Sequence, residues 1–187
     1  EDTNSQKESI KLSKGLGLVF KMITELPQIT VSAVEGPAMA GAFGIVCSSD
    51  LVLSMSSARF AMTETRLGLS PAQIAPYVID RLGFSNARKL ILLGFSIDGN
   101  QAYDMGLTDY LSTTKEEFNE TLNSIKRQVN QCAPHALTLT KNIIRPRNEI
   151  DIELSAKIFA ECIESEEGKE GIKSFFEKKK PYWAVRS

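Results

Sequence analysis

Residues 29–44 read ITVSAVEGPAMAGAFG, and residues 50–83 read DLVLSMSSARFAMTETRLGLSPAQIAPYVIDRLG. The apolar, β-branched run 29–34 reads as a strand that breaks at Glu35-Gly36-Pro37. The small residues that follow open a tightly packed Ala- and Gly-rich helix over 39–47. Two short strands come next, over 51–54 and 59–62, and the second delivers a lone carboxylate, Glu64, just before a Leu67-Gly-Leu-Ser-Pro71 turn. Backbone N–H groups at a helix start carry partial positive charge and polarise a carbonyl, while an acid on a nearby strand end can move a proton. The function is written here.

Around this stretch the chain is α/β first and helical later. Upstream, Ile10, Leu12, Leu16, Val19, Phe20 and Ile23 recur at helical spacing over 6–26, and Pro27 marks the stop. Downstream, helices are expected over 72–81 and 86–93, then a turn and short helix over 97–106, and a strand over 107–111. Four helices follow, over 115–131, 134–144, 149–164 and 166–180. The polar turn at 112–114 is the only candidate boundary, giving an α/β core over 1–111 and a helical region over 112–187.

Composition narrows the classes. At 187 residues the chain can bury a real core, and its net charge of −1 predicts no nucleic-acid partner. No apolar run approaches the roughly 20 residues that cross a bilayer, so no membrane partner is expected. Three widely spaced cysteines with no CxxC suit a reducing, cytoplasmic location. Cys47 reads as a small buried apolar residue, and His135, the one histidine, has no Cys or acidic cluster to complete a metal site. The run AMAGAFG lacks the GK[ST] of a phosphate-binding loop, and GxGxxG does not fit it.

The motifs together resemble the crotonase (enoyl-CoA hydratase/isomerase) superfamily. Its pattern is similar to the Val34–Gly44 turn, the strand Phe60-Ala-Met-Thr-Glu64, Leu67-Gly-Leu-Ser-Pro71, Ala102–Gly106-Leu107, Ala133-Pro134 to Lys141, and Glu170-Gly171 to Lys178. The resemblance implies a spiral of ββα units, a C-terminal helical region that builds homotrimers or dimers of trimers, and an acyl-CoA thioester as substrate. No separate cofactor is implied.

Roles transfer residue by residue as expectations. Gly41 stands where the family supplies one oxyanion N–H, and Glu64 at one of the two acid/base carboxylates of its hydratases. Ala40, Phe60, Leu69 and Pro71 fall at substrate-binding positions. Lys178 matches a position that contacts the CoA nucleotide from a neighbouring subunit. Gly44 stands where those hydratases carry the second carboxylate, so Glu64 would act alone, and Gly44 itself reads as a close-packing residue. The form Pro71-Ala72-Gln73-Ile74-Ala75-Pro76 resembles hydratases of methylglutaconyl-CoA and isohexenylglutaconyl-CoA. A single-glutamate thioester hydrolase, an isomerase and a non-catalytic acyl-CoA binder are the alternatives. The family's second oxyanion donor lies in an upstream Ala-Gly-Ala-Asp-Leu-like segment that does not precede Gln6, so a longer natural protein is expected. Outside such a pattern, a lone strand-end Glu is usually a solvated surface group. Arg66 reads as a surface arginine unless the strand runs far enough to set it on the face of Glu64.

Overall fold

The computed structural model describes residues 3–145 and 150–185. Helix α1 spans Thr3–Glu25, followed by β1 (Val31–Val34), β2 (Pro37–Met39), α2 (Gly41–Ser48), β3 (Leu51–Met55) and β4 (Arg59–Ala61). A 3-10 turn over Glu64–Leu67 leads to α3 (Ala75–Leu93), β5 (Ser96–Asp98), α4 (Gly99–Asp104) and β6 (Tyr110–Ser112). Then come α5 (Lys115–Asn130), α6 (Pro134–Ile144), α7 (Ile152–Glu164), α8 (Glu166–Phe176) and a 3-10 turn over Tyr182–Val185.

Two small sheets organise the first half. One runs β1-β3-β6, all parallel; the other runs β2-β4-β5, with β2 and β4 parallel and β5 antiparallel to β4. The central strand β3 is buried through its middle, which suits its continuous apolar sequence LVLSM.

Away from the site, residues 96–98 pair as β5 where a turn is expected, and the strand expected over 107–111 lies at Tyr110–Ser112. The helix expected over 166–180 ends at Phe176, and position 149, the expected start of α7, lies outside the described residues. Three expectations near the site need correction. The small-residue run does not form one helix from 39. Residues 37–39 pair as β2, and the helix begins at Gly41 after Ala40 takes φ 48° and ψ −118°. Ala and Gly suit close packing in either state, so their spacing could not separate strand from helix. Glu64 is not on a strand: β4 ends at Ala61, Thr63 lies at φ −91° and ψ 0°, and Glu64 opens the 3-10 turn. Strand alternation therefore says nothing about Arg66. Finally, α3 starts at Ala75 rather than 72, because the Ile74 and Ala75 N–H groups both turn back to the Pro71 carbonyl, at 3.0 and 2.9 Å. Its two expected segments are present, divided at Gly83, whose φ of 69° and ψ of 159° break the helix where glycine tolerates positive φ.

The chain resolves into two compact units. The first holds the residues up to 26 together with 30–122, and the second holds 27–29 with the residues from 123 onward. The first contains the main core, where Phe20, Phe43, Phe60, Met62, Val78 and Leu90 are all buried. Phe43 of α2 meets Phe60 of β4 edge-on, with ring centroids 6.4 Å apart, so the helix is packed on that strand.

Arg81 of α3 ties the rim of this unit. Its guanidinium donates to the carbonyls of Leu107 (3.1 Å), Asp50 (3.1 Å) and Ser49 (3.4 Å), and to Asp109 Oδ2 at 2.5 Å. Asp109 Oδ2 also accepts the Val52 N–H at 2.7 Å, so one carboxylate joins helix, loop and strand. In the second unit, Lys141 of α6 is buried and donates to the Gln28 carbonyl at 2.9 Å, while Thr138 donates to the Pro27 carbonyl at 3.2 Å. These two bonds hold segment 27–29 against α6. Asp151 and Ser165 cap α7 and α8 by accepting the Leu154 and Gly168 N–H groups.

Arg81→Ala strands three carbonyls and a partly buried carboxylate. We expect it to destabilise the protein by about 3 kcal/mol. Urea unfolding followed by tryptophan-independent circular dichroism measures this, and an unchanged midpoint would show that water replaces the arginine.

Candidate active site

The site is set by strand pairing. In the parallel β2–β4 ladder, Met39 stands opposite Ala61. The Ala40 N–H then donates to the Ala61 carbonyl at 3.1 Å, carrying the ladder one residue past β2. Gly41 is the next residue on one side, and Glu64 follows three residues after Ala61 on the other. Neighbouring strands lie about 4.8 Å apart and three residues reach at most about 10 Å. Both groups thus leave the same end of adjacent parallel strands, the end at which α/β sheets place their chemistry.

Each group is prepared for this. In α2 the Gly44 N–H bonds back to the Ala40 carbonyl at 3.1 Å, so the N–H groups of Gly41, Ala42 and Phe43 have no acceptor within the helix. A Cβ added at Gly41 would meet no atom within 4 Å among the described residues, so the space beside it is open. Glu64 is 9% exposed, and its Oε2 is buried with no hydrogen-bond partner. A buried carboxylate oxygen without a donor is costly, and such positions are where proteins keep chemistry rather than stability.

The predicted neighbours divide. Phe60 is fully buried beneath the site, Pro71 is buried, and Ala40 is half-buried at the turn itself. Met62 is buried as well, but Leu67 and Leu69 are 70% and 60% exposed, so the apolar setting of Glu64 comes from the strand side only. Arg66 does not turn toward Glu64's work: its Nε donates to the Leu93 carbonyl at 3.1 Å and caps the end of α3. Lys178 belongs to the second unit, directly after α8. There it takes φ 54°, and the Lys179 N–H closes the helix onto the Ser174 carbonyl at 2.9 Å. His135 lies by Glu161 (Nε2 to Oε1, 3.5 Å), and no cluster of three or more metal-binding side chains occurs among the described residues.

Position 44 is closed. A Cβ built on Gly44 would lie 2.6 Å from Cζ of Phe20 and 2.7 Å from its Cε1. The sequence could show the glycine but not the ring, because Phe20 stands 24 residues upstream.

The pattern of the enoyl-CoA hydratase/isomerase family matches residues 2–186. The chain belongs to that family. Among its relatives, the short-chain-enoyl-CoA hydratase of Clostridium acetobutylicum is 30% identical, with 87% of this chain and 64% of that protein covered. A solved enoyl-CoA hydratase/isomerase of Marinobacter aquaeolei superposes with a TM-score of 0.88 at 37% identity, covering 93% of this chain and 67% of that one. AtuE of Pseudomonas aeruginosa superposes with a TM-score of 0.91 at 34% identity, covering 95% and 70%. The fold is therefore crotonase-like, and the chain is an enoyl-CoA hydratase-like enzyme chain spanning about two-thirds of these relatives.

Cys47, on the buried side of α2, has its thiol pushed up to about 12 by burial, against a weaker opposing pull from the Arg81 charge. An unfolded thiol releases its proton near pH 9, whereas the folded one holds it to about 12. The raised value thus contributes stability that is complete below pH 9 and is lost as pH rises through about 12. Cys47→Ala should flatten the alkaline fall in stability relative to the parent, by up to roughly 1.4 kcal/mol per pH unit in that window. Urea midpoints of both proteins at pH 8 and pH 10.5 test it; parallel declines would refute it.

Proposed function

We propose that the protein hydrates an α,β-unsaturated acyl-CoA thioester, with a branched or carboxylated acyl chain of the methylglutaconyl-CoA kind. The observation that supports the hydration chemistry is the shared strand end, from which both the α2 N–H groups without helical acceptors and Glu64, with its buried Oε2 unpartnered, emerge. The acyl class rests on the sequence form Pro71-Ala72-Gln73-Ile74-Ala75-Pro76. The Gly41 N–H donates to the thioester carbonyl oxygen, together with a second donor, and charge moves onto that oxygen as the double bond takes up water. Glu64 accepts one proton of the water as its oxygen bonds to the β-carbon. The same carboxyl then gives that proton to the α-carbon, so one molecule of water is added and the glutamate is regenerated. Ala40, Leu69 and Pro71 border the acyl side of this reading, with Phe60 packed beneath them. Lys178 contacts the CoA nucleotide in a homotrimeric, cytoplasmic assembly.

The name borne by the Clostridium acetobutylicum relative supports hydration as the reaction class. With glycine at position 44, thioester hydrolysis and isomerisation by the single carboxylate are the two alternative reactions. Products separate them, since hydration adds one water, hydrolysis frees the CoA thiol and isomerisation changes no mass.

The protein as the cell makes it should therefore convert 3-methylglutaconyl-CoA faster than crotonyl-CoA, read by mass spectrometry. Glu64→Gln should lower turnover by about 10²–10⁴-fold without loss of thermal stability, because the replaced oxygen has no partner to lose. Free CoA as the product would instead establish the hydrolase. Full activity in Glu64→Gln would remove the glutamate from the chemistry. Lys178→Gln should raise KM several-fold with kcat unchanged, the mark of binding energy shared by ground and transition states. An unchanged KM would take Lys178 out of the nucleotide site.

A further inference from the structure

The turn that carries Glu64 is hooked onto the far end of α3. Arg66 Nε donates to the Leu93 carbonyl at 3.1 Å, and Thr65 Oγ1 donates to the Ile91 carbonyl at 3.4 Å. Both acceptors belong to the last turn of the helix, where four carbonyls have no partner within it. The Gly94 N–H takes the first of these, on Leu90, at 3.0 Å. The partial negative charge of that helix end suits a guanidinium. The two side-chain bonds span 26 and 27 residues, so they clasp a closed loop. It leaves Glu64, passes Pro71 and runs along α3 back to the same turn.

Gly94 brings the ends of this loop together. It takes φ 58°, a conformation that glycine adopts without strain. A Cβ built on it would lie 3.0 Å from the Met62 carbonyl oxygen, 3.1 Å from Arg66 Cγ and 3.2 Å from Thr65 Oγ1. The backbone just after α3 therefore lies against the chain on both sides of Glu64. Within the turn, the Arg66 N–H bonds to the Thr63 carbonyl at 3.0 Å and the Leu69 N–H to the Glu64 carbonyl at 2.9 Å. The buried Oε2 of Glu64 has no hydrogen bond of its own. That oxygen is placed by packing and by the backbone that carries it.

We propose that Arg66 is a positioning residue which, with Thr65, holds the Glu64 turn on the end of α3 and so fixes the carboxylate for proton transfer. This role rests on the reading of Glu64 as the acid/base group given above. Arg66 acts through the backbone, since its Nε bonds to α3. Thr65 and Arg66 are both exposed, whereas Glu64 is buried. Water can take over the bonds of exposed side chains, so the clasp matters little for global stability. It matters for where the carboxylate sits, because a misplacement of about 1 Å is enough to slow a reaction steeply.

The test uses the protein as the cell makes it and a variant that keeps side-chain bulk but removes both donors. Thr65→Val/Arg66→Met should lower kcat by about tenfold to a hundredfold on the faster of 3-methylglutaconyl-CoA and crotonyl-CoA. KM should stay within about twofold and Tm within about 2 °C of the parent. Thr65→Ser/Arg66→Lys keeps a hydroxyl and a cationic donor, and should recover most of the lost kcat. An unchanged kcat in the first variant, or an equal loss in both, would overturn the proposal. So would a fall in Tm large enough to account for the lost activity. Amide hydrogen exchange adds a readout that needs no substrate. The Arg66 and Leu69 amides should exchange about tenfold faster in Thr65→Val/Arg66→Met, while those of β3 keep their parent rates. Unmoved rates would show that the turn holds its shape without the two side chains, which also overturns the proposal. A parent that hydrates nothing, or that stays fully active as Glu64→Gln, refutes the reading of Glu64. The exchange rates then still decide whether Arg66 and Thr65 hold the turn.

Discussion

Everything at the candidate site depends on the parallel pairing of β2 with β4, extended by the Ala40 N–H to Ala61 carbonyl bond. Neither strand exceeds three residues, and a pair that short has little intrinsic stability in water. It persists because both ends are held by burial. Phe43 on α2 and Phe60 on β4 meet through their rings, Ala38 and Ala61 are buried, and β5 covers the other edge of β4. The candidate site's geometry is therefore a product of core packing rather than of its loops. A packed ladder of this kind holds the candidate groups Gly41 and Glu64 at a fixed separation.

The charged residues of the first unit are compensated to different degrees. Arg81 and Asp109 spend their hydrogen-bonding capacity on backbone groups of the rim, so each charge is compensated where it sits. Glu64 is the opposite case, with one oxygen buried and unpartnered. Burying a polar atom without a partner costs about 1–3 kcal/mol, which the surrounding apolar core of Phe60 and Met62 outweighs at roughly 1.5–3 kcal/mol for each large side chain buried. The fold tolerates the glutamate; it does not rely on it.

Much of this was legible in the residues. Period-2 and helical patterns located most of the elements, and the resemblance pointed to Gly41 and Glu64, which the structure brings to one strand end. What could not be read was local or distant. Pro37–Met39 and Gly41–Ser48 share a vocabulary of small residues, so only the hydrogen bond of Ala40 separates strand from helix. Glu64 looked like a strand residue because Phe60, Ala61 and Met62 alternate no more clearly than a buried strand does, and the turn at Thr63 carries no glycine or proline to announce it. The closure of position 44 needed a contact across 24 residues of sequence, which no local pattern encodes.

The backbone at Ala40 completes the argument. A non-glycine residue at φ 48° and ψ −118° costs on the order of 1–3 kcal/mol and survives only where its surroundings over-determine it. Here they do: the N–H of Ala40 is bound to Ala61, and its carbonyl receives the first intrahelical bond of α2, from Gly44. Those two bonds face opposite ways, one into the sheet and one along the helix. The chain can satisfy both only by turning sharply between them. That turn leaves the Gly41 N–H with no internal acceptor at the strand end where Glu64 also emerges. Strain at Ala40 and the unpaired oxygen of Glu64 are thus two local costs of one arrangement, and the same packed ladder sustains both.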